Sequence, residues 1–249
     1  MSAKPDPVVH AYVRAHATLR LVAELPPDLI REAYSKRATI QLLTPGGPSC
    51  SIRVNNGAVS FSATRRFFPT VSLWFPRPVQ MATLLSGGKA PVVPIPSSLR
   101  FLGGVSAFRA LTGAVKAAFQ DPAHRVRLLL MGTLFALEEV ASHDAYVAAR
   151  VARIPAGTIG VSVENEPEIQ GWFRKEPEGI SSGAGASDTE PNAELVFVDR
   201  ETADALLTGK LSAALAVAER RVRLYGRLPM IQNLFPILDR VATYMGGQS

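Results

Sequence analysis

Apolar and polar positions alternate at Cys50, Ile52 and Val54, with Ser51 and Arg53 between them, and again at Val59, Phe61 and Ala63. A period of two predicts half-buried strands. The Asn55-Asn56-Gly57 between these runs predicts a tight hairpin, since Asn-Gly accepts positive φ. ATIQLL upstream reads as another strand, separated by the turn TPGGPS. The later sequence repeats the scheme: GTIGVSV, the polar turn ENEPE, IQGWFR, the turn Glu176-Pro177-Glu178-Gly179, then ISSGA. Each half therefore opens with a three-stranded antiparallel meander. A fourth strand follows, TVSLWF or NAELVF. Next comes a helix carrying Leu-Leu that stops at Gly87 or Gly209, as helix C-termini often do. A short last strand, LRFLGG or RVRLYG, leads to a closing helix over 105–119 or 230–245. Helical stretches precede each meander: HAYVRAHATLRLVAEL and PPDLIREAYSKR in the first half, and about 124–153 in the second.

Setting residues 57–104 against 179–226 without gaps sharpens this into an internal repeat at an offset of 122. Gly57 meets Gly179, Pro69 meets Pro191, and Leu73 and Phe75 meet Leu195 and Phe197. Leu84, Leu85 and Gly87 meet Leu206, Leu207 and Gly209, and Leu102 and Gly104 meet Leu224 and Gly226. The matched Gly and Pro weigh most, because backbone geometry restricts where they are placed. The units differ at PVVPIP, which stands where the second has LSAALAVAE. Proline breaks helices, so extended chain is expected there in place of a short helix. The predicted fold is α+β: two tandem units, 1–122 and 123–249, each a mostly antiparallel five-stranded sheet with helices covering one face.

Composition supports a globular chain. Apolar residues make up 47% and charged ones 19% of 249 residues, enough for a core and too little charge for disorder. The start has no apolar signal core, and the longest apolar run, Leu128 to Leu137, falls short of the roughly twenty residues of a membrane span. A soluble, cytoplasmic protein is expected. Charge is uneven: residues 1–122 carry 14 Lys+Arg and 5 Asp+Glu, residues 123–249 carry 13 and 16. The basic half would suit an anionic membrane surface, an acidic protein partner or a second copy of the chain. Its scattered cations lack the aromatic-basic motifs of nucleic-acid binding, so no nucleic-acid partner is expected.

From Leu206-Leu207-Thr208-Gly209-Lys210-Leu211, through the small residues Ala213 to Val217 and the strand Val222-Arg223-Leu224-Tyr225-Gly226, to the apolar Met230–Leu238, the second unit resembles the sterol carrier protein type two family. The resemblance covers about 60 residues well, and about 90 with the meander. Ser212-Ala213 departs from the family's usual Asp-Pro, and Glu219-Arg220-Arg221 fills a stretch where a Gly is usual. What the resemblance implies is a sheet covered by helices around an apolar tunnel. The ligands it implies are sterols, fatty acids, acyl-CoA or isoprenoids, and accessory roles beside enzymes are also known in the family. On it rests the expectation of a non-catalytic binder of an apolar small molecule, with Phe75, Leu84, Leu195, Phe197, Leu206, Leu207, Leu234, Phe235 and Leu238 as candidate lining. The same residue types would equally fill an ordinary core, leaving an interaction scaffold.

Catalytic and metal chemistry find little support. Ser86-Gly87-Gly88-Lys89 and Thr208-Gly209-Lys210 lack the earlier Gly and following Ser/Thr of a phosphate loop and read as helix caps. Glu139 and His143 stand i, i+4, with Asp144 beside them, but no second His motif completes a metal site. The spacing of His10, His16 and His124 in the sequence forms no ligand motif, and four His with a single Cys exclude a Cys-rich zinc centre. Cys50 falls on its strand's apolar face, where a buried thiol is inert. Arg65–Arg66 and the strip Arg220, Arg221, Arg223 and Arg227 would meet an anionic headgroup or form a solvated edge. No cofactor or metal is expected, and enzymatic use of Glu139, His143 and Cys50 is the least favoured reading.

Overall fold

The computed structural model describes residues 5–96, 101–177 and 179–245. The chain divides into two compact units, residues 1–121 and 122–249. The first runs α1 (Pro7–Ala23), α2 (Pro27–Ala33), β1 (Ala38–Leu43), β2 (Ser49–Asn55), β3 (Ala58–Ser62), β4 (Val71–Trp74), α3 (Pro78–Leu85), β5 (Val93–Pro96) and α4 (Phe101–Gln120). The second runs α5 (Pro122–His143), α6 (Ala145–Val151), β6 (Gly157–Val163), β7 (Glu166–Glu176), β8 (Gly179–Ala184), β9 (Ala193–Phe197), α7 (Arg200–Leu207), α8 (Ala213–Ala218), β10 (Val222–Gly226) and α9 (Leu228–Met245).

Local chemistry explains the element boundaries. The Asp6 carboxylate accepts from the N–H groups of Val8 and Val9 at 2.7 and 3.4 Å, and Pro7 opens α1, so two otherwise orphaned features of a helix start are met together. Asn56 and Gly57 both have positive φ, +48° and +84°, which gives the β2–β3 hairpin its two-residue turn. At the end of α3 the N–H of Gly88 donates to the Thr83 carbonyl and that of Gly87 to Leu84. At the end of α7 Lys210 donates to Ala205 and Gly209 to Leu206. Both ends are Schellman caps, and they need the left-handed φ of +86° and +75° found at Gly87 and Gly209. These glycine-lysine stretches therefore close helices.

In the first sheet the order is β3-β2-β1-β4-β5, and in the second β8-β7-β6-β9-β10. The expectation of mostly antiparallel sheets holds for three of the four pairings in each, but both sheets are mixed, with β1–β4 and β6–β9 parallel. The cause is the connection after β3. It leaves the sheet's edge, passes β2 and β1, and enters β4 running the same way as β1. On the way the Arg66 N–H donates to Gln41 Oε1 at 2.8 Å, and the Thr70 N–H to the Thr39 carbonyl at 2.7 Å. Ile40, Leu42, Cys50, Ile52, Val54, Val71 and Leu73 form one buried face, against which α1 and α4 rest. In the second unit Ile159, Val161, Phe173, Leu195 and Phe197 do the same under α5 and α9. Each fully buried side chain of this size contributes roughly 1.5–3 kcal/mol.

Two further expectations change. The stretch LRFLGG is no strand where it is described: α4 already begins at Phe101, and Leu99 and Arg100 lie outside the described residues. The fifth strand is instead Val93–Pro96, antiparallel to β4. Pro94 and Pro96 are tolerated because β5 is an edge strand. The gapless offset holds over only part of its length, and the strands that precede it sit at other spacings. Leu73 and Leu195 lie opposite Leu42 and Val161, and Leu42 and Val161 lie opposite Cys50 and Gly171. Spacing is thus 122 in the fourth strand, 119 in the first and 121 in the second. Gly57 sits in a turn while Gly179 is paired with Glu176, and Leu102 and Gly104 are helical while Leu224 and Gly226 are in β10. Within that match the offset of 122 holds through the fourth strand and the helix after it.

Candidate functional site

A cavity of about 710 Å³ lies within the second unit. Its walls come from five elements. The end of α7 supplies Leu206 and Leu207, and the connection beyond it Gly209, Leu211 and Ser212. Helix α8 adds Ala213, Ala214 and Val217, held by the Ser212 hydroxyl, which accepts from the Leu215 N–H at 3.3 Å. Leu224 enters from β10, and Thr133 from α5. The long wall is α9, whose Gln232, Phe235, Pro236, Leu238, Asp239, Val241, Ala242 and Met245 face the space at helical spacing.

The lining is apolar with a few polar groups at its margin. Leu206, Leu207, Val217, Leu224, Phe235 and Leu238 are only half-buried, so their apolar surface is incompletely covered. Gln232, Asp239 and Thr133 are the principal polar side chains. Pro236 sits inside α9 and has no N–H, so the Gln232 carbonyl one turn earlier loses the helical donor it would otherwise have. The space therefore has hydrogen-bonding groups along one edge.

The nine candidate lining residues divide. Leu206, Leu207, Phe235 and Leu238 border the cavity. Leu195, Phe197 and Leu234 do not; each is a core residue, 2% exposed, packed between sheet and helix. Phe75 is fully buried and Leu84 half-buried, both in the first unit. Strand residues pointing at the helices fill the core, whereas those at helix ends and on the outer side of α9 border open space. Sequence reading missed Gln232, Asp239, Val241 and Met245, although the i, i+3, i+4 recurrence along α9 would have identified them as one face.

The supporting frame is polar and well bonded. Asp144 Oδ2 accepts from the Tyr244 hydroxyl at 2.7 Å and from Arg240 Nε at 3.0 Å, while its Oδ1 caps α6 through the Tyr146 and Val147 N–H groups. Burial pushes the Asp144 carboxyl up, but the hydrogen bonds from Tyr244 and Arg240, the Val147 N–H and the Arg240 charge outweigh it and hold it below the usual carboxylate range. Asp199, the cap of α7, is likewise held low, chiefly by the Thr202 N–H. Glu139 is buried with His143 Nε2 3.5 Å away, Cys50 is fully buried, and His16 lies edge-on between the rings of Tyr12 and Phe61. Among the described residues no group of three or more potential metal ligands lies together, and no helix is long and apolar enough to cross a membrane.

No family model matches the chain, and no curated protein matches it. Among solved structures, the chain is similar to one described as "UbiJ-SCP2 Ubiquinone synthesis protein", at 10% identity and a TM-score of 0.36, over 46% of this chain and 96% of that one. It is similar to the sterol carrier protein domain 2 of Helicoverpa armigera, at 19% identity and a TM-score of 0.35, over 46% and 88%. A third similar structure is apo Sterol Carrier Protein 2 from Yarrowia lipolytica, at 11% identity and a TM-score of 0.34, over 47% and 92%. Slightly under half of this chain thus has SCP2 domains as its structural neighbours.

Proposed function

We propose that the second unit binds an apolar, lipid-like small molecule, such as a fatty acid, acyl-CoA, sterol or isoprenoid, without catalysing a reaction on it. The observation that carries this reading is the cavity between α7, α8, β10 and α9. Its volume of about 710 Å³ lies within the range of small-molecule sites, roughly 300–1,000 Å³. The half-buried leucines around it would gain cover from such a ligand, and the Gln232 amide would meet its polar end. The sterol-carrier-like sequence from Leu206 to Leu238 supports the same reading, since it supplies most of these walls. A role in lipid transfer, from a cytoplasmic location, is the extension of this proposal.

The test is uptake of cis-parinaric acid by delipidated protein, followed by fluorescence, with oleoyl-CoA and a sterol as competitors. Saturable uptake near one per chain, weakened by Leu238→Trp, is expected. Protein that takes up none of the three classes, and carries no lipid on native mass spectrometry after purification, would overturn the reading. It would favour the alternative of an interaction scaffold.

A further inference from the structure

Two large aromatic side chains stand almost free of the first unit. Phe67 is 94% and Phe68 93% exposed, in the connection that carries the chain from β3 to β4. Apolar rings exposed to this degree lose the burial that would normally stabilise them, and paired exposure marks an interaction site. Phe68 also has φ +56°, a left-handed conformation unusual for a bulky residue and characteristic of strained functional loops. The loop is anchored from below: Arg66 N–H donates to Gln41 Oε1 at 2.8 Å, Arg65 Nε to Ser49 Oγ at 3.1 Å, and Ser51 Oγ to the Thr64 carbonyl at 3.4 Å. The base is held while the tip projects.

Charge identifies the occupant. From residue 33 to residue 120 the sequence contains ten Lys and Arg and not one Asp or Glu. Most of the first unit, including its whole sheet, is therefore cationic without internal counter-charge. The corresponding connection in the second unit, before β9, has the opposite character. Its Ser187-Asp188-Thr189-Glu190 is acidic, and Arg174 ties it down by donating to Ser187, Asp188 and Thr189. The projecting aromatic pair belongs to the basic unit alone.

We propose that the loop 63–70 docks the first unit on an anionic lipid bilayer, Phe67 and Phe68 entering the interface while Arg65 and the surrounding cations face the headgroups. Aromatic rings favour this boundary, and basic residues near an anionic leaflet add attraction that fades with salt. The inference rests on different residues from the cavity and stands without it.

The experiment is co-sedimentation of the full chain with vesicles of 3:1 phosphatidylcholine:phosphatidylglycerol and with phosphatidylcholine alone. Binding to the first and little to the second is expected, falling as salt rises from 0.1 to 0.5 M, where screening shortens to a few ångströms. Phe67→Ser/Phe68→Ser should weaken binding about tenfold or more, and Arg65→Gln about fivefold. Melting temperature and cis-parinaric acid uptake should be unchanged, because the rings are exposed and the cavity lies in the other unit. Phe67→Trp should keep binding, with emission shifting to the blue on the phosphatidylglycerol vesicles. Equal sedimentation of the double-serine variant, absence of a Trp shift, or no binding to either vesicle would overturn the proposal. So would a change confined to self-association in sedimentation velocity, which would make the occupant a second copy.

Discussion

The hydroxyl of Tyr244 donates to the Asp144 carboxylate at 2.7 Å across a hundred residues of sequence. With Arg240 at 3.0 Å on the same oxygen, it ties the last turns of α9, the long wall of the cavity, to the start of α6. Both side chains of the ion pair are largely buried, 11% and 6% exposed. Removing one partner would leave the other's polar group without its compensation.

Asp144→Asn should therefore destabilise the protein by about 3 kcal/mol, and Tyr244→Phe by about 1 kcal/mol. The Asp144 carboxyl is held below its ordinary value of 3.8. Its contribution is thus complete above that pH and is lost as pH falls through the lower folded value. Urea midpoints should separate wild type from Asp144→Asn at pH 7 and draw them together below about pH 4. A gap that persists undiminished at low pH would refute this account of the latch.

Gly87 and Gly209 have open space where a Cβ would go, so substitution there tests backbone conformation alone. Gly87→Ala and Gly209→Ala should each cost about 1 kcal/mol, measured by thermal or urea unfolding. Near-zero cost at both would contradict the left-handed caps.

Gly226 combines φ +74° with a close approach, since a Cβ would lie 2.3 Å from the Asn192 carbonyl oxygen. Backbone cannot yield as a flexible side chain does. Gly226→Ala should cost distinctly more than Gly209→Ala, about 3 kcal/mol or more. Comparable unfolding midpoints for the two variants would show that β10 can move away from this contact.

Filling the cavity should separate binding from folding. Val217→Trp and Leu238→Trp place bulk in half-covered positions and should lower cis-parinaric acid uptake at least about tenfold, with stability altered by less than about 1.5 kcal/mol. Leu195→Ala, deep in the core at 2% exposure, should do the reverse: about 2–5 kcal/mol of stability lost. If Leu195→Ala impaired uptake more than either Trp variant while remaining folded, the ligand space would lie elsewhere.

The strands and helix ends were legible because their signals are local. Alternation at Cys50, Ile52 and Val54 reports one buried face, and Asn56-Gly57 reports a turn that needs two positive φ angles. The parallel pairing of β1 with β4 was not legible, because nothing within TVSLWF records which way its neighbour runs. PVVPIP was read correctly as extended chain. Its role as the edge strand was missed because Leu102 and Gly104 aligned with Leu224 and Gly226 and drew the last strand past it. The cavity was half legible for a related reason. Leu206 and Leu195 are the same residue type on adjacent elements, and only the packing shows that one borders open space while the other is enclosed.

The connection between the fourth and fifth strands has a consequence for how such a protein can change. In the first unit only the stretch from Leu85 to Val93 joins α3 to β5, whereas in the second the chain from Leu207 to Val222 has room for α8 and its Ala213, Ala214 and Val217. One side of the compartment is thus carried by an inserted segment that belongs to no strand of the sheet. Lengthening, shortening or recolouring that segment would reshape the pocket while leaving the sheet's registers untouched. Pocket shape and architectural integrity are in this sense separately heritable traits of one chain.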